Sequence, residues 1–345
     1  MIKRYYTKPD NHPFDGVKWV TTTAEIVNLK NPEKSFKQEG VEFPDYFSQN
    51  AINIVTSKYF IGKLGTPERE FSLKQLINRV VNKNVEWGVE QGYFTKKESR
   101  VYSDELIYML LHQIYSFNTP VYLNIGNPNS RDQVSACFVL GIEDTMESIE
   151  ENIAIEMEVY RSGSGTGTNY SKLRSSRESI KGGIGIPSGP NSFMKISDAG
   201  AGVTKSGGLT RRAAQLKRLD VDHGDIREFI WQKKVEEDKA KALIAAGWSS
   251  DFDDPKGAYG SVFFQNSNQS VGVTDEFMNA VEKKQDWNLL TRKDKKVLET
   301  LKADDLFTDI AKCTFETGDP AVQFHDAINK YNTCSVSGEI NSSNP

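Results

Sequence analysis

Cysteine and histidine are scarce in this sequence, with three of one and four of the other in 345 residues. Cys137, Cys313 and Cys334 lie far apart, form no CxxC and have no histidine at metal-ligand spacing. That pattern excludes a disulfide framework and a zinc site, and four histidines are too few for a multi-histidine metal centre. A metal or radical would have to come from outside the chain. No apolar run approaches the roughly 18 residues of a membrane helix, and the opening MIKRYYTKPDNHPFDG lacks the apolar core of a secretory leader, so a cytoplasmic protein with no membrane partner is expected. An excess of one charge is missing too. With 43 Lys and Arg against 47 Asp and Glu, the net charge of -4 fits neither a disordered acidic chain nor a nucleic-acid coat, and any bound nucleotide belongs in a local pocket.

What is present is a folded α/β pattern. Hydrophobic residues make up 37% of the chain, ample for one large domain with a smaller neighbour. The texture changes near residue 118, dividing an N-terminal segment and helical domain (1–117) from an α/β region (118–345). In the first part Ser72 and Gln75 have capping-box spacing ahead of an apolar face of Leu73, Leu76, Ile77 and Val80. A second helix is expected from Ser103, with Leu106, Leu110 and Ile114 on one side. In the second part strand-like runs at 135–142, 165–173, 213–221, 267–273 and 321–326 alternate with helix-like runs. Five β-then-α units predict a parallel sheet or part of a barrel, a fold in which function gathers at the carboxyl ends of the strands.

The glycine-rich stretches come next. SGSGTGTN (162–169) departs from the dinucleotide fingerprint, because its sixth position is Thr168 and a strand follows, and it reads as a tight helix-to-strand turn with close backbone approach. KGGIGIPSGP (181–190) and KSGGLTRRAA (205–214) join glycines to fixed cations, which points to phosphate binding or, equally, to solvated surface loops. Asp144 heads a helix-like run, where a carboxylate caps the helix or accepts from a ribose hydroxyl. Cys137 lies in an apolar strand and reads first as a small hydrophobe, Cys313 as packing on a helix face. DVDHGDI does not match the DxHxxG pattern of some cobalamin proteins, since Asp222 directly precedes His223, which reads as structural.

Taken in order, FNTPVYLNIG, QVSACFVLGIEDTMESI, GLTRRAAQLKRLDVDHGDIREFI, KVEEDKAKALIAAG and FFQNSNQSVGVTDEFM resemble the adenosylcobalamin-dependent, class II ribonucleotide reductases, from about residue 40 onward. The resemblance implies a ten-stranded α/β barrel, of which this chain supplies the first five-stranded half behind a helical N-terminal domain. It implies reduction of ribonucleotides to deoxyribonucleotides by thiyl radical chemistry started by adenosylcobalamin. By motif, Cys137 matches the first cysteine of the reducing pair. Thr119, Ser135, Ala136 and Ser171, with Arg211 or Arg212 of the specificity loop, fall at substrate-contacting positions. Asp144, Ser148, Arg174 and Lys181 fall where the family binds an allosteric deoxynucleoside triphosphate, and the helices near 146–160 and 190–204 where relatives form a homodimer. An external dithiol such as thioredoxin is the implied reductant.

In the family the segment resembling GEINSSNP continues with Cys-Ser-Glu, which carries the radical cysteine and a proton-transferring glutamate, and the second reducing cysteine follows. None of these occurs here, and Cys334 precedes the segment. The expectation is therefore an N-terminal part that works with a complementary C-terminal chain or an intein-spliced continuation. A nucleotide-binding regulatory protein without catalysis, and a class I large-subunit fragment, are the alternatives; QNSNQSVGVTDEFM and EEDKAKALIAAG favour class II.

Overall fold

The computed structural model describes residues 2–27, 35–179, 185–204, 213–252 and 254–345. Two compact units are present, Met1–Ala136 and Cys137–Pro345. Among the described residues no helix is long and apolar enough to cross a membrane.

In the first unit, strands β1 (Trp19–Ile26) and β2 (Phe36–Pro44) form an antiparallel hairpin, followed by helices α1 (Gln49–Tyr59), α2 (Leu73–Glu90), α3 (Lys96–Leu111) and α4 (Thr119–Asn124). The hairpin escaped pattern reading because WVTTTAEI carries its strand preference in β-branched threonines rather than in apolar alternation. Helix α2 starts at the Ser72–Gln75 capping box and buries Leu73, Leu76, Ile77 and Val80, as the spacing predicts. Helix α3 does not start at Ser103. A second capping box, Thr95 with Glu98, opens it two turns earlier, and Gln113 at φ 57° lies past its end, so Ile114 is exposed while Leu106 and Leu110 are buried. Arg79 of α2 pairs with Glu70 at 2.8 Å, both side chains 8% exposed, and also donates to the carbonyls of Tyr122 and Ile125, tying α2 to the end of α4.

The second unit runs β3 (Cys137–Leu140), α5 (Met146–Arg161), β4 (Gly165–Asn169), α6 (Gly189–Val203), β5 (Gln215–Asp220), α7 (Ile226–Ala245), β6 (Ser267–Val273), α8 (Asp275–Glu282), an antiparallel hairpin of β7 (Asp286–Leu290) and β8 (Val297–Lys302), α9 (Ala303–Thr317), β9 (Ala321–Phe324) and α10 (His325–Lys330). The five predicted strands all form and pair in parallel in the order β3-β4-β5-β6-β9. The β7–β8 hairpin was not anticipated, nor was α10, whose first two residues fall in the run read as strand; the hairpin is inserted between a β-then-α unit and the next, and Leu290 N–H donates to Asp222 O at 2.8 Å to hold it on the sheet end.

Strand residues alternate between two environments. On one face Leu219, Val271 and Val273 pack with Phe229, Ile230 and Phe277 from the covering helices, and Cys313 of α9 joins this core. Burial pushes the Cys313 thiol up to about 11, which makes it inert packing, as its helix face suggests. The other face is mostly small or polar, with Val139 and Leu216 as its apolar members: aligned pairs Cys137–Gly165, Asn169–Arg218 and Gly272–Gln323 cross it from edge to edge. The five strands are the first half of the expected barrel, and residues 339–345 lie along this face: Ser343, whose carbonyl lies over Gly167 of β4, accepts from Gln323 of β9 through its hydroxyl at 3.0 Å.

Under the helices, a buried polar cluster links α5, α6, β4 and β5. Glu156 accepts from Ser197 and from Thr166 (3.1 Å), Tyr160 meets Thr166 at 2.7 Å, and Gln215 donates to Tyr160 at 2.7 Å. Burial raises the Glu156 carboxyl above its usual range. Beside it Lys217, fully buried with its ammonium on Met194 O, falls from 10.5 to about 8, chiefly through loss of hydration. Between those two values the unfolded chain holds a proton on Lys217 that the native state has released, so stability rises with pH across that window. The Lys217→Met variant should lack this rise, so that it appears in the difference between the parent and variant denaturant-stability curves measured from pH 8 to 10.5.

Candidate functional site

The site is built around the first residue of β3. Cys137 is a free, partly buried thiol. Its register partner is Gly165, the first residue of β4, so the thiol stands at the amino-terminal end of the sheet. General expectation for parallel sheets had pointed to the carboxyl ends. There a cavity of about 410 Å³ does open beside the β7–β8 hairpin, lined in part by Arg218, Asp220, Trp287 and Arg292. Four of its charges pair with one another, Arg218 with Asp220 at 2.9 Å and Arg292 with Asp222 at 3.0 Å.

Residues 339–345 bring a second set of groups to Cys137. The segment runs antiparallel along the inner face of β4: Asn169 Nδ2 donates to Asn341 O at 2.9 Å, Ser343 O lies over Gly167, and the Pro345 ring lies over Gly165. At its end Asn344 Nδ2 donates to Cys137 Sγ at 3.7 Å. The glycine-rich stretch thus has two jobs. Gly163, at φ 78°, makes the turn from α5 into β4, whereas Gly165 and Gly167 leave a strip of strand bare for the crossing. A Cβ at Gly165 would stand 2.8 Å from the Pro345 ring, and one at Gly167 would overlap the Ser343 carbonyl. Glycine at alternate strand positions was the sequence signal for this path, and Asn169, Gln323, Asn329 and Asn344 were not singled out because amides in loops carry no pattern.

The expected nucleotide-binding residues gather at the other end of β3. Thr145, not Asp144, caps α5, its hydroxyl accepting from Ser148 N–H at 3.2 Å. Asp144 turns instead to Arg174, accepting from its main-chain N–H at 3.1 Å and from Nε at 2.7 Å. Ser148 Oγ accepts from Glu143 N–H at 2.9 Å, so three of the four predicted effector residues share one partly exposed surface after β3. Lys181, Arg211 and Arg212 lie outside the described residues.

The predicted substrate residues are placed separately. Ser171 sits past the carboxyl end of β4, donating to Asn169 Oδ1 at 2.6 Å and accepting from Asp220 N–H at 2.7 Å; the length of β4, roughly 13 Å, separates it from the level of Cys137. Ser135 and Ala136 directly precede Cys137 in the chain, with Ser135 N–H held by Gln133 Oε1 at 2.9 Å. In the first unit Thr119 opens α4, its hydroxyl 3.3 Å from Tyr59 OH. His223 is structural, as read from its motif. Wholly buried, it donates from Nε2 to Leu173 O at 2.8 Å and accepts at Nδ1 from Asp225 N–H at 3.0 Å, which fixes the neutral tautomer; burial holds its pKa below the usual 6.5.

Residues 135–345 match the family model of the ribonucleotide reductase barrel domain, and residues 21–113 match that of class II vitamin B12-dependent ribonucleotide reductase. The vitamin B12-dependent ribonucleotide reductases of Streptomyces avermitilis and Streptomyces clavuligerus are each 47% identical to it over 347 residues, covering 100% of this chain and 35% and 36% of their own lengths. That of Rhodopirellula baltica is 42% identical over 365 residues, covering 96% of this chain and 35% of its own length. The chain therefore spans about a third of the length of these curated relatives.

Proposed function

The chain belongs to the class II, vitamin B12-dependent ribonucleotide reductases, and from that membership we propose that it supplies one reducing thiol and the effector site of an enzyme that converts ribonucleotides to deoxyribonucleotides. The contact between Asn344 and Cys137, beside a neighbouring strand cleared by two glycines, carries this reading: it delivers the segment after Ile340 to a thiol inside the half-barrel. Cys137 and a second cysteine, from polypeptide following Pro345 whether joined to it or supplied as a complementary chain, together give two electrons. Their sulfurs join as a disulfide while the ribose 2′ hydroxyl leaves as water, and an external dithiol such as thioredoxin restores both thiols.

Adenosylcobalamin, when bound, supplies the initiating radical through homolysis of its cobalt–carbon bond. This chain's part is to hold Cys137 and to screen it from water. His223 offers the cofactor no axial nitrogen, because both ring nitrogens are engaged in the protein. The proposed test combines this chain with the polypeptide that follows Pro345, a dithiol and a ribonucleotide. Deoxyribonucleotide should form only when adenosylcobalamin is added, and cofactor-independent product, or none from an intact assembly, would count against the proposal.

Asp144, Ser148 and Arg174, with Lys181, form the proposed site for a deoxynucleoside triphosphate effector at a homodimer interface, and the 205–214 stretch carrying Arg211 and Arg212 relays its identity to the substrate. Removing a carboxylate that bonds a sugar hydroxyl costs about tenfold in affinity. Asp144→Ala should accordingly weaken effector binding by that factor in calorimetric titrations. Stability should fall by less than about 1 kcal/mol, because the Asp144–Arg174 pair is more than a third exposed.

A further inference from the structure

We propose that Asn169, Gln323 and Asn329 are positioning residues that fix residues 339–345 in one register along β4 and thereby set Asn344 against the Cys137 thiol. The inference rests on the proposed role of Cys137 and adds the groups that aim its surroundings.

Asn329 of α10 grips the main chain of Ile340 from both sides, its Oδ1 accepting from Ile340 N–H at 2.8 Å and its Nδ2 donating to Ile340 O at 3.2 Å. One residue on, Asn169 Nδ2 donates to Asn341 O at 2.9 Å. Its amide cannot turn over, because Oδ1 already accepts from Ser171 N–H at 3.0 Å and from Ser171 Oγ at 2.6 Å. Gln323, reaching in from β9, donates to Ser343 Oγ at 3.0 Å. Three of the four bonds to the segment end on its main-chain atoms, so they select a backbone position more than a side-chain type. The glycines permit the crossing but do not choose its register. An extended segment slipped by one residue presents its opposite face, which would carry the Asn344 amide away from Cys137. The amides of Asn329, Asn169 and Gln323, bonded at 340, 341 and 343, exclude that slip.

The test needs no catalysis. In a Cys334→Ser background, which removes the exposed thiol and leaves Cys313 buried, the rate of Cys137 alkylation by iodoacetamide is followed by mass spectrometry. Combining Asn329→Ala with Gln323→Ala removes three hydrogen bonds to the segment and should speed alkylation by about tenfold or more. Hydrogen exchange at the Ile340 amide should speed up with it, while the melting transition stays cooperative. Asn329→Asp, which keeps the acceptor and loses the donor, should fall between the two. Neither residue belongs to the buried core, and Gln323→Ala alone serves as the second variant if the pair fails to fold. Unchanged alkylation and exchange in folded variants would overturn the proposal. A normal alkylation response combined with full turnover in Cys137→Ser would instead refute the role of Cys137. In the assembled enzyme the double variant should lower kcat and leave KM unchanged.

Discussion

Gly167→Ala is expected to cut turnover of the assembled enzyme by about a hundredfold or more, with the sheet still folded. Gly167 does not have a positive φ, so alanine suits the strand backbone at this position. The loss comes from space alone. Real Cβ atoms stay at 3.0 Å or beyond from such neighbours, and to restore that separation the Ser343 carbonyl must retreat by more than 1 Å. Because Ser343 is joined directly to Asn344, the displacement passes to the amide on Cys137, and an ångström of misplacement at a reacting group costs about two orders of magnitude. Gly141→Ala is the control: nothing lies within 4 Å of a Cβ built there, and its turnover should match the parent. Steady-state kinetics with thermal melts on the two variants distinguish blocked packing from general damage to the sheet.

Cys137→Ser has the second large expected effect, loss of turnover to background with effector binding retained. Serine is nearly the same size and, at a partly exposed strand end, should change stability by no more than about 0.5 kcal/mol. It cannot form a disulfide, so the two electrons for loss of the 2′ hydroxyl have no source. Deoxyribonucleotide assays and calorimetric effector titrations on one preparation check both halves of that statement. Cys313→Ser, by contrast, puts a hydroxyl into the apolar core and should lower stability without a specific effect on turnover.

The five-stranded sheet was legible because each strand and following helix has its own hydrophobic period, and long amphipathic runs such as Met146–Arg161 are insensitive to context. Two hairpins were not. In β1 the preference resides in threonines, and β7–β8 is a charged ribbon whose place is set by Asp222 and Arg292 across 70 residues of sequence. The start of α3 was misplaced by trusting an apolar face over the Thr95–Glu98 box that physically ends the preceding loop. Cys137 became a candidate only through resemblance, since a lone cysteine in an apolar strand has no local mark of reactivity. The crossing segment shows the limit most clearly. Its contacts pair residue 341 with 169 and residue 340 with 329, and nothing in either stretch alone announces the other. Glycines 165 and 167 recorded the crossing as an absence of side chains, readable once the strand was known to have an inner face.

The most direct measurement is a single turnover of the reduced, assembled enzyme with adenosylcobalamin and ribonucleotide but no external dithiol, followed by thiol trapping and mass spectrometry. The prediction is about one deoxyribonucleotide per active site, with Cys137 recovered in a disulfide to a cysteine beyond Pro345 and with Cys313 and Cys334 still free. Product formed while Cys137 remains a free thiol would contradict its assignment as a reducing cysteine.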